Sequence, residues 1–325
     1  MCIRDRMYRS AVNRCVNLLV HHKEGCSANC AYCGLAKKRP GTYEEKSFIH
    51  VDWPVYTMEE IVDAINACPA YVKRTCISMI TNGKCHRHTL DMTRRLNAET
   101  DLPISILISP TILAKDDLVA MKEAGADKIG IAMDLATPEL FERYRGKGVG
   151  GPHRWGKYWE ILNQGFEVFG YPHVGAHLMV GMGETEREMV AMMERLWKMG
   201  VISHLFSFFA EEGSALAGMP QPPWPTYLRV QLARYLIEEE SMTMDNMTFD
   251  AQGHISDFGL DSEKLDRIIG RGDPFMTTGC LGPDGKVACN RPFGNCLPEE
   301  RQWNYPYPLN EEELALIREN IFRID

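Results

Sequence analysis

The stretch "GCSANCAYCG" places three thiols, Cys26, Cys30 and Cys33, within eight residues, with Tyr32 directly before the last. Thiolates are soft ligands that select zinc or iron–sulfur centres. Structural zinc takes four protein ligands, and His21 or His22 is the nearest source of a fourth. Three thiolates alone suit a [4Fe–4S] cube, in which they hold three irons and leave the last without a protein ligand. That open iron would be the cluster counterpart of the vacant position on catalytic zinc, so the missing ligand itself is informative. The cluster is the favoured reading, and zinc is the alternative.

A second group, Cys280, Cys289 and Cys296, lies in "GCLGPDGKVACNRPFGNC" near the C-terminus. Three thiols in a Gly- and Pro-rich segment without strand or helix periodicity point to a metal centre that organises the chain locally. An auxiliary iron–sulfur cluster is the first reading, and zinc or scattered thiols are the alternatives. Its loop is expected to lie over the mouth of the barrel described below. Cys15, Cys68 and Cys76 sit in apolar surroundings and read as small buried hydrophobes, while Cys85 is given no role. The eleven cysteines, an odd number in a chain of 325 residues without an export signal, favour reduced thiols and metal over disulfides. A net charge of -8 argues against a nucleic-acid partner, and no apolar run approaches the length of a membrane span. A cytoplasmic location is the expectation.

These thiols need a frame, and the sequence alternates strand and helix patterns over roughly 200 residues. "VNLLV" precedes the first cysteine group, and "TCISMIT", "ISILIS", "KIGIAMD", "HVGAHLMVG" and "HLFSFFA" follow as strands, with helical segments between them. Thr57 with Glu60 and Thr185 with Glu188 form capping boxes at two helix starts. A further strand is expected in "MTMDNMTFD". Such repetition predicts an α/β fold of parallel strands joined by right-handed crossovers, a partial or complete (β/α) TIM-type barrel. A doubly wound open sheet is the alternative. In barrels the active site lies at the C-terminal strand ends, where the first cysteine loop falls. Three parts are expected: an N-terminal segment 1–13, a barrel over 14–260, and an irregular cysteine-rich extension over 261–325. The opening "MCIRDR" reads as a translated sequencing-library transposon end, so the native chain is expected to start near Met7.

"CSANCAYC" resembles the motif of the radical S-adenosylmethionine (SAM) superfamily. The resemblance implies that Cys26, Cys30 and Cys33 are the catalytic metal ligands and hold a [4Fe–4S] cluster. The open iron binds SAM, and reductive cleavage gives methionine and a 5′-deoxyadenosyl radical that abstracts hydrogen from an unactivated C–H bond. Other segments extend the likeness and imply SAM contacts. Tyr32 neighbours the cluster. "ITNG" supplies Asn82 and Gly83. Asp134 ends the fourth strand, where an N-cap role is equally open. "HLMVGMGET" resembles a lipoyl synthase segment and supplies Met179 and Gly181. "FERYRGKG" resembles the arginine-bearing segment of the same enzymes, with Arg143 and Arg145 as partners for the SAM carboxylate, although surface charges fit as well.

The two-component lipoyl synthases, of archaeal and sulfur-oxidiser type, are the subtype that this chain most resembles. Sulfur insertion into a carrier-bound octanoyl chain is the implied reaction. Implied partners are a ferredoxin or flavodoxin as electron donor, an octanoylated lipoyl carrier protein and a sister radical SAM subunit. The N-terminal C-x4-C-x5-C motif and the Arg-Ser-Ser-Tyr ending of ordinary lipoyl synthases are absent. Two other readings stand beside it: a biotin-synthase-like carbon-skeleton rearrangement with a structural auxiliary cluster, and a non-catalytic iron–sulfur electron-transfer or cluster-carrier protein.

Overall fold

The structure is a computed structural model and describes residues 13–43, 45–290 and 302–324. Six strands form one parallel sheet in sequential order: β1 (Cys15–Leu19), β2 (Arg74–Ser78), β3 (Ile104–Ile108), β4 (Ala126–Asp134), β5 (Val174–Val180) and β6 (Ile202–Ser207). Between and after them run α1 (Met58–Ala67), α2 (Cys85–Glu99), α3 (Lys115–Glu123), α4 (Pro138–Tyr144), α5 (Trp155–Phe169), α6 (Glu186–Lys198) and α7 (Trp224–Glu238). Sequential parallel order with a helix in each crossover is the barrel connection rule, and six units curl the sheet into a partial barrel without pairing β1 to β6. The expected strand in "MTMDNMTFD" does not join it. Thr248–Phe249 (β7) pairs antiparallel with Ile255–Asp257 (β8) in a separate ribbon.

Period-two alternation divides each strand between two environments. One set of residues, including Ile77, Ile106, Ile129, Ile131, Ala176 and Leu178, is fully buried and apolar. The other set is polar or small and lines a cavity touched by all six strands: Asn17, Cys76, Ser105, Lys128, His177 and His204 are among it. In a full TIM barrel the interior is packed with bulky branched side chains. Here polar side chains share the interior wall with Ile106, Ile129, Leu205 and Phe206. Gly175 leaves room among them, since a Cβ there would sit 2.8 Å from His204 Nε2.

The C-terminal segment spans the open side. On the β6 side, Asn304 Nδ2 donates to the Leu205 carbonyl at 3.2 Å and Thr278 Oγ1 lies 3.3 Å from His204 Nδ1. On the β1 side, Arg14 N donates to the Ala288 carbonyl at 2.9 Å. Arg74, at the N-terminal end of β2, donates from Nε to the Leu281 carbonyl and pairs through both terminal nitrogens with Asp127 at 2.7 Å. The described part of the extension therefore meets the barrel at its N-terminal end, and residues 291–301 lie outside the described residues. The physical reason is the pair of unpartnered sheet edges, which the segment covers. Two helices complete the described chain, α8 (Ser262–Arg271) and α9 (Glu311–Asn320).

Candidate functional site

The first cysteine loop leaves β1 and folds over the C-terminal ends of the strands. Ser27 fastens it to β2: both its backbone N–H and its hydroxyl donate to the Thr81 carbonyl, at 2.7 and 2.6 Å. Asn82 does the same work from the next position, donating from Nδ2 to the Gly25 carbonyl at 3.1 Å and lying 3.3 Å from His22 Nδ1. Gly25 takes φ +65°, and a Cβ there would press on the Tyr43 ring. The loop's tight start therefore requires glycine. Thr81 in turn shares a 2.7 Å hydrogen bond with Ser109 at the exit of β3.

Cys30 is buried and Cys26 and Cys33 are half-buried, and the Cys33 amide donates to the Cys30 carbonyl at 3.1 Å. Burial pushes the Cys30 thiol up to about 11 and the Cys33 thiol well above its usual value. Metal binding removes such protons outright. Among the described residues, no three His, Cys, Asp or Glu side chains converge closely enough to hold a single metal ion. Zinc, with thiolates about 2.3 Å from one centre, needs such convergence. A cube places each thiolate on a different iron and does not. The donor type and number, three thiols on one loop, fit an iron–sulfur cluster.

Beneath Cys30 lies a buried cation. Arg145, only 6% exposed, lies near enough to oppose the burial effect on Cys30 and donates from Nη1 to the Ala132 carbonyl and to Asp134 Oδ2, the latter at 2.8 Å. Its Nη2 donates to Tyr158 Oη at 3.0 Å, and its Nε has no partner among the described residues. Tyr32 Oη donates to the same Asp134 oxygen at 2.6 Å. Asp134 holds φ +61° at the end of β4, a conformation that Asp tolerates better than most residues. Tyr158 carries the network on to His153, whose Nδ1 lies 2.6 Å from Thr111 Oγ1. Burial, with Arg145 and Arg154 nearby, pulls His153 down to about 2, so it is neutral near pH 7.

The predicted contact residues thus separate. Tyr32, Asp134 and Arg145 form one hydrogen-bonded set against Cys30. Asn82 is close by, but its amide serves the cysteine loop. Arg143 is exposed and stacks its guanidinium on the Tyr144 ring at 5.0 Å, away from the set. Gly83 is exposed, with open space around it. Met179 is half-buried in β5, paired in register with Phe206. Gly181 follows at φ +101°, where a Cβ would meet Pro222 at 2.6 Å. Glu184 was not singled out from sequence. It accepts the Gly181 and Met182 amides at 2.7 and 2.9 Å and shapes this turn.

The other thiols also divide. Cys15 and Cys85 are buried. Cys68 is exposed at the end of α1, contrary to expectation, because α1 turns only Val62 and Ile65 fully inward. Cys76 is half-buried and lines the interior cavity, not the apolar layer. Cys280 and Cys289 line the same cavity, and Cys296 lies outside the described residues.

A sequence model of the Radical SAM superfamily matches residues 20–196, more than half of the chain. No curated protein matches it. Among solved structures, the crystal structure of HydG, a maturase of the [FeFe]-hydrogenase, superposes with a TM-score of 0.54 at 12% identity. The match covers 72% of this chain and 52% of that one, so the chain spans about half of HydG's length, and the likeness is one of fold. The radical SAM methyltransferase TsrM from Kitasatospora setae (TM-score 0.44, 14% identity, 63% of this chain and 38% of that) is more distant. So is the coproporphyrinogen III oxidase HemN from Escherichia coli (TM-score 0.42, 14% identity, 82% and 61%). With its three-thiol loop at the mouth of a six-stranded partial barrel and more than half of its length matched, the chain belongs to the Radical SAM superfamily.

Proposed function

We propose that this radical SAM enzyme inserts sulfur at an unactivated carbon of an octanoyl chain held on a carrier protein, in the manner of a lipoyl synthase. One observation carries the reading: Cys280 and Cys289 reach into the barrel interior, below the loop of Cys26, Cys30 and Cys33. Cys76 lines the same cavity and lies five residues before Thr81, the anchor of that loop. From Cys76 to Thr81 the extended chain spans at most roughly 16 Å. A substrate carbon between them would meet hydrogen abstraction from above and a sulfur source from below.

The cluster of Cys26, Cys30 and Cys33, when bound, supplies reductive cleavage of SAM, with an electron from a low-potential donor such as ferredoxin or flavodoxin. The chain's own residues do the rest. Ser27, Thr81 and Asn82 fix the loop. Arg145 places a positive charge against Cys30, where thiolate charge collects. Tyr32, Asp134 and the Gly181 turn stand at the strand ends where SAM would lie, and Arg145 Nε is the unpaired donor on that side. A second iron–sulfur cluster on the tail thiols would provide the sulfur. Cys296, the third predicted ligand, and a sister radical SAM subunit belong to the same proposal.

Three polar side chains on the cavity wall favour a second reading. Lys128, His177 and His204 face the cavity and suit a small polar substrate better than an acyl chain. Radical rearrangement of such a substrate, with the tail cluster only structural, is the alternative. Reconstitution with heavy sulfide and a single turnover on an octanoylated carrier domain separates the two. Heavy sulfur in the product, with iron lost from the protein, is expected. A product without sulfur, or no reaction of the octanoyl chain, would defeat the sulfur-insertion reading.

A further inference from the structure

Cys76 reads from sequence as an inert strand residue, yet two independent links, through Asn17 and through Arg74, bring it to the tail thiols. Asn17 is its register partner on β1, so the two side chains stand about 4.8 Å apart on one face of the sheet. Cys289 Sγ lies 3.8 Å from that same Asn17, at Oδ1. Arg74, two residues before Cys76 and therefore on its face, binds the Leu281 carbonyl at 2.7 Å, next to Cys280. Cys280 and Cys289 are themselves held together, since the Cys280 carbonyl accepts both the Ala288 and the Cys289 amides, at 2.9 and 3.2 Å. Leu281 and Val287 then close a short antiparallel bridge around the Asp284–Gly285 turn.

All three thiols line a cavity of about 70 Å³, which has room for about five water-sized bodies. Among the described residues no carboxylate lines it, and the Lys128 ammonium there has no ion-pair partner.

We propose that Cys76 is a thiolate ligand, together with Cys280 and Cys289, of an iron–sulfur cluster inside the barrel, and that Lys128 supplies its counter-charge. The inference rests on the reading of the tail thiols as cluster ligands and adds a strand residue to them. Each thiol loses its proton to solvent on binding iron, so three negative charges arise in a partly desolvated cavity. The Lys128 cation offsets part of that charge, as second-shell groups do around other clusters.

The test uses the full chain, reconstituted anaerobically with iron and sulfide. Wild-type protein is expected to hold about eight irons. Cys76→Ala is expected to lose about half of them, as is the Cys280→Ala/Cys289→Ala double variant, while the exposed control Cys68→Ala loses none. The remaining cluster's paramagnetic resonance signal must still shift when SAM is added, which shows that the barrel has folded. Full iron in Cys76→Ala with loss in the tail variant would overturn the role of Cys76 and leave the tail reading standing. Full iron in both would overturn both. Lys128→Met is expected to lower the reduction potential of the interior cluster, because a nearby cation favours the electron. An unchanged potential would remove Lys128 from the proposal.

Discussion

Arg145 shows how a charged side chain can be legible in sequence while its work is not. The segment "FERYRGKG" offered two arginines two residues apart, and nothing local shows which of them turns inward. In the fold, α4 ends at Tyr144, so Arg143 faces solvent and Arg145 turns inward to Cys30, Asp134 and Tyr158. Replacing Arg145 with Met would leave the Asp134 carboxylate, the Tyr158 hydroxyl and a β4 carbonyl short of a donor. A stability loss of about 2–4 kcal/mol is expected. Arg143→Met should stay within about 0.5 kcal/mol. Urea unfolding of the two variants measures the contrast, and equal losses would contradict the assignment. The cysteine loop itself was legible, because the number and spacing of its thiols are set by the metal chemistry and not by the fold. Cys76 was not, since a lone cysteine in an apolar strand looks like any small hydrophobe until a segment more than 200 residues away folds back onto it.

At the scale of elements, the turn between β5 and α6 carries an ionisable switch in stability. Glu184 is buried there against the Gly181 and Met182 amides. Burial outweighs those bonds and raises its carboxyl from 4.5 to about 7. The folded chain therefore keeps a proton that the unfolded chain releases, and stability falls as pH rises from about 4.5 to about 7, then levels. Glu184→Gln is expected to flatten that slope. Urea midpoints at about pH 5 and about pH 8 test it, and equal slopes in the two proteins would sink the idea. Period-two and helical patterns gave the six barrel strands and their helices because one side of each element is consistently apolar. The ends were less legible: α2 starts at Cys85, before its apolar periodicity shows, as Cys85 N closes a turn onto the Asn82 carbonyl. The ribbon of β7 and β8 was equally hard to read, since two- and three-residue strands carry almost no periodic signal.

For the whole molecule, the decisive feature is a six-stranded barrel left open and then closed by its own C-terminal segment. Sequence predicted a barrel and an irregular extension but put the extension over the mouth. Hydrogen bonds from its described residues to both edge strands and to Arg74 put that part at the opposite end. The thiols of the loop and those of the tail consequently approach the interior from different ends and should fail separately. Release of 5′-deoxyadenosine from SAM under dithionite tests this division most directly. The account predicts that Cys30→Ala abolishes release, whereas Cys280→Ala/Cys289→Ala retains cleavage without forming product. Equal release from both variants, or loss from the tail variant alone, would contradict it.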